Sequence, residues 1–358
     1  IANGEIVDLK TRTIEPELRS IWAVRMGEHG RRTYDLTVSG AGRLAAALVA
    51  INQDAAGSDG FRTPDASGRT DPSGALATFP VRSDRESLYV LAKLEGREAL
   101  DGLSLQLHHQ AWGYQLEQGF LYFSPEQEDQ ARESRDMAIL RYRTPRPGAV
   151  STDLALRLQR HGYEYFIRML PAGATLGLTY PSGADETLVT STDDLFLRGE
   201  VAWRLGRGSL LGGAEYSGLL NRGDARHTAT FDTRAGGDYA PLPGPIDVGD
   251  VYAPIVGRPV HRVGLFAQAV SGPVFGGWLS GTASVRWDGF RAEYRDLADP
   301  TQPLRTKASS RLTPRLGLVA TPTDRLSVKL LGAYAYRAPA PTELFSANTI
   351  IQLSNART

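Results

Sequence analysis

Cysteine is absent from this 358-residue sequence. Its absence excludes a disulfide scaffold, cysteine-ligated zinc or iron–sulfur clusters, and catalysis by a thiol. A surplus of basic residues is also missing, because 40 Lys and Arg balance 40 Asp and Glu. Proteins that bind nucleic acid usually carry a clear basic excess. We therefore expect no nucleic-acid partner.

Long apolar runs are missing as well. The longest, residues 44–51, has eight residues, whereas a membrane-spanning helix needs about 20. The sequence begins at Ile1, its first methionine is Met26, and no charged-then-apolar leader is visible. We expect no helical membrane span, and we expect the sequence to be a segment of a longer chain.

The dominant pattern is an alternation of apolar and polar residues with a period of two, which predicts strands. Leu103, Leu105 and Leu107, for example, alternate with Ser104 and Gln106. Helical periodicity is hard to find, so we expect an all-β chain with almost no helix. The predicted strands lie near residues 18–26, 32–39, 43–53, 86–95, 102–112, 136–144, 150–159, 194–205, 209–219, 260–271, 277–288, 309–320 and 326–336.

The connections between these thirteen strands alternate between tight turns and long loops, apart from a short first hairpin at 27–31. In an up-and-down meander, alternate connections lie at the same end of the sheet, so one end collects the long loops. Outer-membrane β-barrels show this sorting and have strands of about 9–11 residues. We therefore predict an antiparallel up-and-down transmembrane β-barrel. Its long extracellular loops are expected near 54–85, 113–135, 160–193, 220–259 and 289–308.

The predicted strand 194–205 shows how such a barrel would use its two faces. Apolar side chains should face lipid and polar ones the lumen, because arginine on the lipid face near the midplane costs about 2–4 kcal/mol. Alternation alone also fits a soluble β-sandwich with the apolar set inside, so strand length and loop sorting decide between them. The apolar set is Leu195, Leu197, Val201 and Trp203; the candidates for the lumen lining are Arg198, Glu200, Arg204 and Lys329.

Aromatic residues lie near the ends of several predicted strands. This placement fits the aromatic girdles of membrane barrels, although the same residues could simply fill a β core. They are Trp22, Trp112, Tyr163, Tyr165, Trp287 and Tyr336.

Few sequence patterns indicate a catalytic, cofactor-binding or metal-binding site. Residues 40–45 match a dinucleotide-binding fingerprint, but no repeated strand–helix alternation follows, so a turn is favoured. The six histidines lack metal-ligand spacing. Acidic residues in the predicted loops favour solvation over calcium binding. We expect no enzyme activity, no catalytic residue, no metal site and no cofactor.

Residues 312–345 carry the most specific motif of the chain. A Pro-Arg-Leu-Gly strand is followed by a Pro-Thr-Asp turn, a second strand, Tyr-Arg-Ala-Pro and Glu-Leu-Phe. This order resembles a signature region of TonB-dependent outer-membrane receptors. Residues 263–268 and 285–288 resemble the strands that precede it, with Trp287 in place of the usual tyrosine. The motif residues are Pro314, Arg315, Gly317, Arg337, Ala338, Pro339, Glu343 and Phe345.

The resemblance implies a plug domain inside a 22-stranded barrel. Residues 1–14 would be the last plug strand, and residues 15–358 an incomplete barrel with about thirteen of those strands. The strands near 18–26 and 326–336 should then be unpaired edges. The family's TonB box is not in this sequence, so contact with TonB would use a plug region outside it.

The function implied by the resemblance is TonB-energised uptake of a scarce solute across the outer membrane of a Gram-negative bacterium. The solute would be a small molecule or metal chelate, such as a ferric siderophore, cobalamin or a glycan, bound by the extracellular loops. Outer-membrane lipid would be the other partner. The alternatives are a passive porin-like channel, a smaller self-contained barrel, a barrel enzyme and a secreted β-rich binding protein.

Overall fold

Antiparallel strands make up most of the chain in this computed structural model, which describes residues 14–58, 60–66, 68–115, 129–145, 148–232, 240–297, 299–323, 325–336 and 339–345. The strands, numbered in chain order, are β1 (Arg19–Met26), β2 (Arg32–Ala41), β3 (Ala45–Ala56), β4 (Arg62–Pro64), β5 (Thr78–Pro80), β6 (Arg85–Gly96), β7 (Leu103–Gln115), β8 (Gln130–Arg143), β9 (Val150–Leu170), β10 (Ala174–Leu176), β11 (Leu178–Tyr180), β12 (Ala184–Leu205), β13 (Gly208–Asp232), β14 (Ala240–Asp247), β15 (Val260–Val270), β16 (Leu279–Arg295), β17 (Leu304–Thr323) and β18 (Leu326–Ala333). The helical elements of these ranges are three short 3₁₀ turns, Glu98–Leu100, Ala253–Ile255 and Phe275–Gly277, and α1 (Pro341–Phe345). No helix in these ranges is long and apolar enough to cross a membrane.

One sheet contains all thirteen predicted strands in nearest-neighbour order. Its path is β1-β2-β3-β6-β7-β8-β9-β12-β13-β15-β16-β17-β18, and every neighbouring pair is antiparallel. β14 pairs with β13 beside this path, while β4–β5 and β10–β11 form separate hairpins. The predicted meander is confirmed. β1 and β18 lie at its two ends, as expected for the edges near 18–26 and 326–336.

Several strands are longer than the sequence predicts. β9, β12 and β13 have 21, 22 and 25 residues, and 25 residues span roughly 80 Å. The segments predicted as loops at 113–135, 160–193, 220–259 and 289–308 are therefore partly strand, and 54–85 contains β4 and β5. The prediction failed there because the apolar stripe of the predicted strands does not continue into these extensions, whose buried apolar residues, such as Ile167 and Leu188, lie on the opposite face.

The register separates an apolar face of the sheet from a polar face. Each of the thirteen strands contributes a large, exposed hydrophobic side chain to the same face, which we call the apolar face. Those side chains include Trp22, Leu36, Val49, Leu94, Leu107, Leu140, Leu154, Leu197, Leu210, Leu265, Trp287, Leu312 and Leu330. Exposed hydrophobic surface on this scale is unusual for a soluble monomer. The polar face carries the residues between them.

The apolar face ends abruptly at one register row. Across β7, β8, β9 and β12, the last apolar row is Leu107, Ala138, Leu158 and Leu195. The next row on the same face is His109, Asp136, Arg160 and Asp193. The extensions of β9, β12 and β13 lie beyond this charged row, on the side of the long connections.

Candidate functional site: the polar face and its long-connection end

A network of charged side chains crosses the polar face in the middle of the sheet. Arg198 and Glu200 on β12 form an ion pair at 2.8 Å, and Arg198 lies 4.0 Å from Glu215 on β13. Arg286 on β16 contacts Glu215 and lies 2.7 Å from Asp288. The network has two arginines and three carboxylates, so it carries one surplus negative charge. The side chain of Arg198 is 45% exposed, which leaves the network accessible from the polar side.

The aromatic ring of Phe266 is part of this network. Phe266 on β15 lies between Arg198 and Arg286, with ring-centroid distances of 5.2 and 6.0 Å to the two guanidinium carbons. Both distances allow cation–π attraction. The register places Gly213 of β13 directly beside Phe266, so this strand has no side chain where the ring lies.

Gly213 and its neighbour Gly212 offer a matched test of this packing. A Cβ at Gly213 would lie 2.4 Å from the Phe266 ring and 2.7 Å from the Gly199 carbonyl oxygen, whereas one at Gly212 would lie 3.8 Å from the Trp203 ring. The ring can rotate away but the backbone oxygen cannot. We expect Gly213→Ala to destabilise the protein by about 1–3 kcal/mol and Gly212→Ala to have little effect. Thermal unfolding of both variants in detergent measures this, and equal midpoints would contradict the packing.

The structure places the predicted lining residues on one face. Arg198, Glu200 and Arg204 lie on the polar face with Glu215 and Ser209 opposite, and Lys329 lies on the polar face of β18 opposite Val319. Of these four residues, Arg198 and Glu200 belong to the charge network. That these residues line a lumen or contact a plug stays a prediction.

The motif residues near the end of the chain have distinct positions. Pro314 lies on the apolar face opposite Val285, whereas Arg315 and Gly317 lie on the polar face opposite Ser284 and Thr282. The Pro339 carbonyl accepts a 2.9 Å hydrogen bond from Arg262, and Glu343 accepts one of 2.7 Å from the Ala340 amide. Phe345 is buried with Phe290 and Ile255. Arg337 and Ala338 lie outside the described residues.

Five aromatic residues gather on the polar face beyond the charged row. We call Trp112, Tyr114, Tyr163, Tyr165 and Tyr252 the aromatic wall. Trp112 and Tyr163 share one register row and Tyr114 and Tyr165 the next, and Tyr252 packs against them from another segment. Trp112, Tyr163 and Tyr165 were expected in membrane girdles, and that prediction is wrong because they lie on the polar face. Trp22 and Trp287 do lie exposed on the apolar face.

An arginine and a histidine accompany the aromatic wall. The Arg135 guanidinium lies 5.9 Å from the Trp112 ring centroid, and its Nε is buried without a hydrogen-bond partner. His161 pairs with Glu133 at 3.0 Å. An aromatic surface beside the Arg135 cation suits an anionic, unsaturated ligand. The sequence did not predict this site, because all of its residues except Trp112 fall in segments assigned to loops.

A short segment between β14 and β15 folds onto this part of the polar face. We call residues 248–257 the strap. Val251 packs with Tyr165 and Leu188, and Ile255 packs with Phe290. The strap therefore covers part of the aromatic wall.

Hydrogen bonds fix the strap to β13. The Val251 amide donates to Asp224 at 2.6 Å, and the Gly257 amide donates to the Asn221 carbonyl at 2.8 Å. His227 Nδ1 lies 2.5 Å from the Gly249 carbonyl oxygen. Burial raises the pKa of Asp224.

His227 and Glu186 form a buried pair beside the strap. His227 Nε2 lies 2.8 Å from Glu186 Oε1, and both side chains are 1% exposed. Burial alone would lower the pKa of His227, but Glu186, the Gly249 carbonyl and Asp224 outweigh it and raise the pKa above its usual value. Within the residues that the structure describes, no group of three or more His, Asp or Glu could hold a metal ion.

Comparison with known proteins identifies the family. The sequence matches the family model described as TonB dependent receptor-like, beta-barrel, over residues 49–356. The chain therefore belongs to the β-barrel family of TonB-dependent receptors, and the resemblance seen in residues 312–345 is confirmed. No curated protein matches the sequence.

Solved structures of this family share the fold. The copper transporter OprC is 13% identical with a TM-score of 0.61, and the alignment covers 94% of this chain and 48% of that one. The FrpB iron transporter of Neisseria meningitidis is 15% identical, with a TM-score of 0.57 and coverage of 91% and 48%. The siderophore receptor PiuA of Acinetobacter baumannii is 12% identical, with a TM-score of 0.57 and coverage of 88% and 48%. The chain spans about half the length of these structures. Its fold is thus part of an antiparallel up-and-down β-barrel of the TonB-dependent type.

Proposed function

We propose that this chain is the barrel wall of a receptor in the outer membrane of a Gram-negative bacterium, which imports a scarce solute with energy from TonB. The observation that carries the proposal is the two-faced sheet. Its apolar face is exposed on all thirteen strands, whereas its polar face is crossed by ion pairs. Lipid suits the first face, and a plug or water suits the second. The chain would catalyse no chemical reaction.

The charge network around Phe266 is the proposed docking surface for a plug. Its surplus carboxylate, from Glu200, Glu215 and Asp288 against two arginines, suits a cationic side chain of the docked domain. The contact with TonB itself would use the plug. Family members whose structures resemble this chain are described as transporters or receptors for copper, iron and a siderophore, and these activities support a role in transport.

Among siderophores, cobalamin and glycans, the ferric siderophore is the solute class that the aromatic wall favours. Trp112 and Tyr163 offer ring faces, and Arg135 lies beside them with a positive charge. A ferric catecholate complex combines aromatic rings with negative charge and matches both features. A neutral glycan would use the rings but not the cation.

Uptake by cells that carry the intact protein tests this function. The probes are a radiolabelled ferric tris-catecholate, cyanocobalamin and a maltooligosaccharide. We expect uptake of the ferric chelate only, and loss of that uptake in a strain without TonB. Uptake that persists without TonB would instead favour a passive porin-like channel.

Substitution of Trp112 tests whether the ferric chelate binds at the aromatic wall. Trp112→Ala should weaken ferric chelate binding about fivefold, because a stacked aromatic contact contributes roughly 1 kcal/mol and a factor of ten corresponds to 1.4 kcal/mol. Trp22→Ala removes the same side chain from the apolar face and serves as the control. Equal affinities of the two variants would place the ligand elsewhere.

A further inference from the structure

The ring of His227 lies between two oxygen atoms that can only accept hydrogen bonds. Nδ1 is 2.5 Å from the carbonyl oxygen of Gly249 in the strap, and Nε2 is 2.8 Å from the carboxylate of Glu186 on β12. A neutral imidazole has one N–H and can satisfy one of these acceptors, whereas an imidazolium has two. With Glu186 ionised, both contacts are therefore complete only when His227 is protonated. The proton links the strap, β13 and β12 through one side chain.

The groups packed around this ring favour its positive charge. Glu186 faces it from β12, and Asp224 of β13 lies 3.6 Å from Nδ1. From the strap, Asp250 accepts the Asp224 amide at 2.6 Å, and Tyr252 lies near Asp224. Asp224 in turn accepts the Val251 amide of the strap. Loss of the proton would leave this acidic cluster without its cation.

We propose that the strap is a gate over the aromatic wall that is held closed by the proton on His227. The closed position is the one described here, with Val251 and Tyr252 packed against Tyr165 and its neighbours. Deprotonation leaves the ring one N–H, which the Glu186 carboxylate retains because a charged acceptor forms the stronger hydrogen bond. The bond to Gly249 is then broken, and the strap loses an anchor. The description as a gate rests on the proposed function, whereas the anchoring by a proton does not.

The direction of the pH response follows from the sign of the shift. Because the folded protein raises the pKa of His227, the anchor is fully present below the ordinary value of about 6.5 and is lost as the pH rises through the raised value. The gate is thus closed in acid and opens in alkali. Between the ordinary and the raised value, the ratio of open to closed strap increases about tenfold per pH unit, because opening releases one proton, and the ratio levels off above the raised value.

Spin labelling of the intact protein in detergent micelles measures the opening. These 358 residues have no cysteine, so Ala253→Cys gives one labelled site among them, in the strap, once any cysteine elsewhere in the intact protein has been replaced by serine. We expect an immobile label at pH 5 and a mobile label at pH 9. His227→Gln should abolish the pH dependence. His161→Gln should preserve it, because the His161–Glu133 pair is on the same face but half-exposed, at 29% and 21%.

A second label separates gate opening from loss of fold. Glu28→Cys lies in the exposed turn between β1 and β2, and its spectrum should be the same in every variant and at each pH. A label at Ala253 that stays immobile from pH 5 to pH 9 would overturn the proposal, and so would a pH transition that survives His227→Gln. A strap that opens as expected in a protein that imports no solute would contradict the proposed function and leave the proton anchor standing.

Discussion

Val201→Arg is expected to prevent most of the protein from assembling in the outer membrane, whereas Glu200→Arg leaves assembly largely intact. Val201 lies on the apolar face between Thr152 and Gly212, and Glu200 lies on the polar face between Asp153 and Gly213. Arginine on a lipid-facing position near the midplane costs about 2–4 kcal/mol. The same side chain on the polar face stays among water and charged groups.

The measurement is the amount of heat-resistant, folded protein in isolated outer membranes. The two substitutions are one residue apart and introduce the same side chain, so differences in synthesis or export are minimal. Glu200→Arg also removes the partner of Arg198, which should cost less than 1 kcal/mol at this exposed pair. Equal losses for both variants would mean that the apolar face does not meet lipid.

The sequence was sufficient to predict the strands of the sheet and which of their side chains share a face. On the apolar face, hydrophobic residues recur at alternate positions, as at Leu195, Leu197 and Val201 with Gly199 as the exception, and this leaves a period of two in the sequence. The same constraint predicted that Arg198 and Glu200 share the opposite face.

The long-connection end could not be predicted in the same way. Around Tyr163 and Glu164 both faces of the strand carry polar or aromatic groups, so the alternation that marks a strand disappears while its hydrogen bonds continue. The contact between His227 and Glu186 joins residues 41 positions apart. Such a contact depends on register shifts in β12 and β13 near Thr190, and these leave no local pattern in the sequence.

Burial decides how much the two histidine–glutamate pairs of the polar face contribute to stability. Both pairs have similar geometry, with nitrogen–oxygen distances of 2.8 Å for His227–Glu186 and 3.0 Å for His161–Glu133. The first pair is fully buried and the second is partly exposed. Removal of one partner from a buried charged pair typically costs about 3–5 kcal/mol, because the other charge stays buried without compensation. Near the surface, water replaces the lost partner and the cost is about 0–1 kcal/mol.

Glu186→Ala should therefore destabilise the extension of β12 and β13 by about 3–5 kcal/mol, and Glu133→Ala by less than about 1 kcal/mol. Native-state amide exchange is the appropriate measurement, because the extension can open locally while the rest of the sheet stays folded. The informative amides are those of β13 beyond Asn221, such as the Asp224 amide, which donates to Asp250 at 2.6 Å. Their exchange should accelerate in Glu186→Ala, while amides near Leu210 keep their protection.

Replacing both members of the pair, with Glu186→Leu and His227→Phe, removes the uncompensated charge and should restore most of the protection. If Glu186→Ala and Glu133→Ala accelerate exchange equally, burial does not control the strength of these pairs and the buried imidazolium is not the anchor of this part of the sheet.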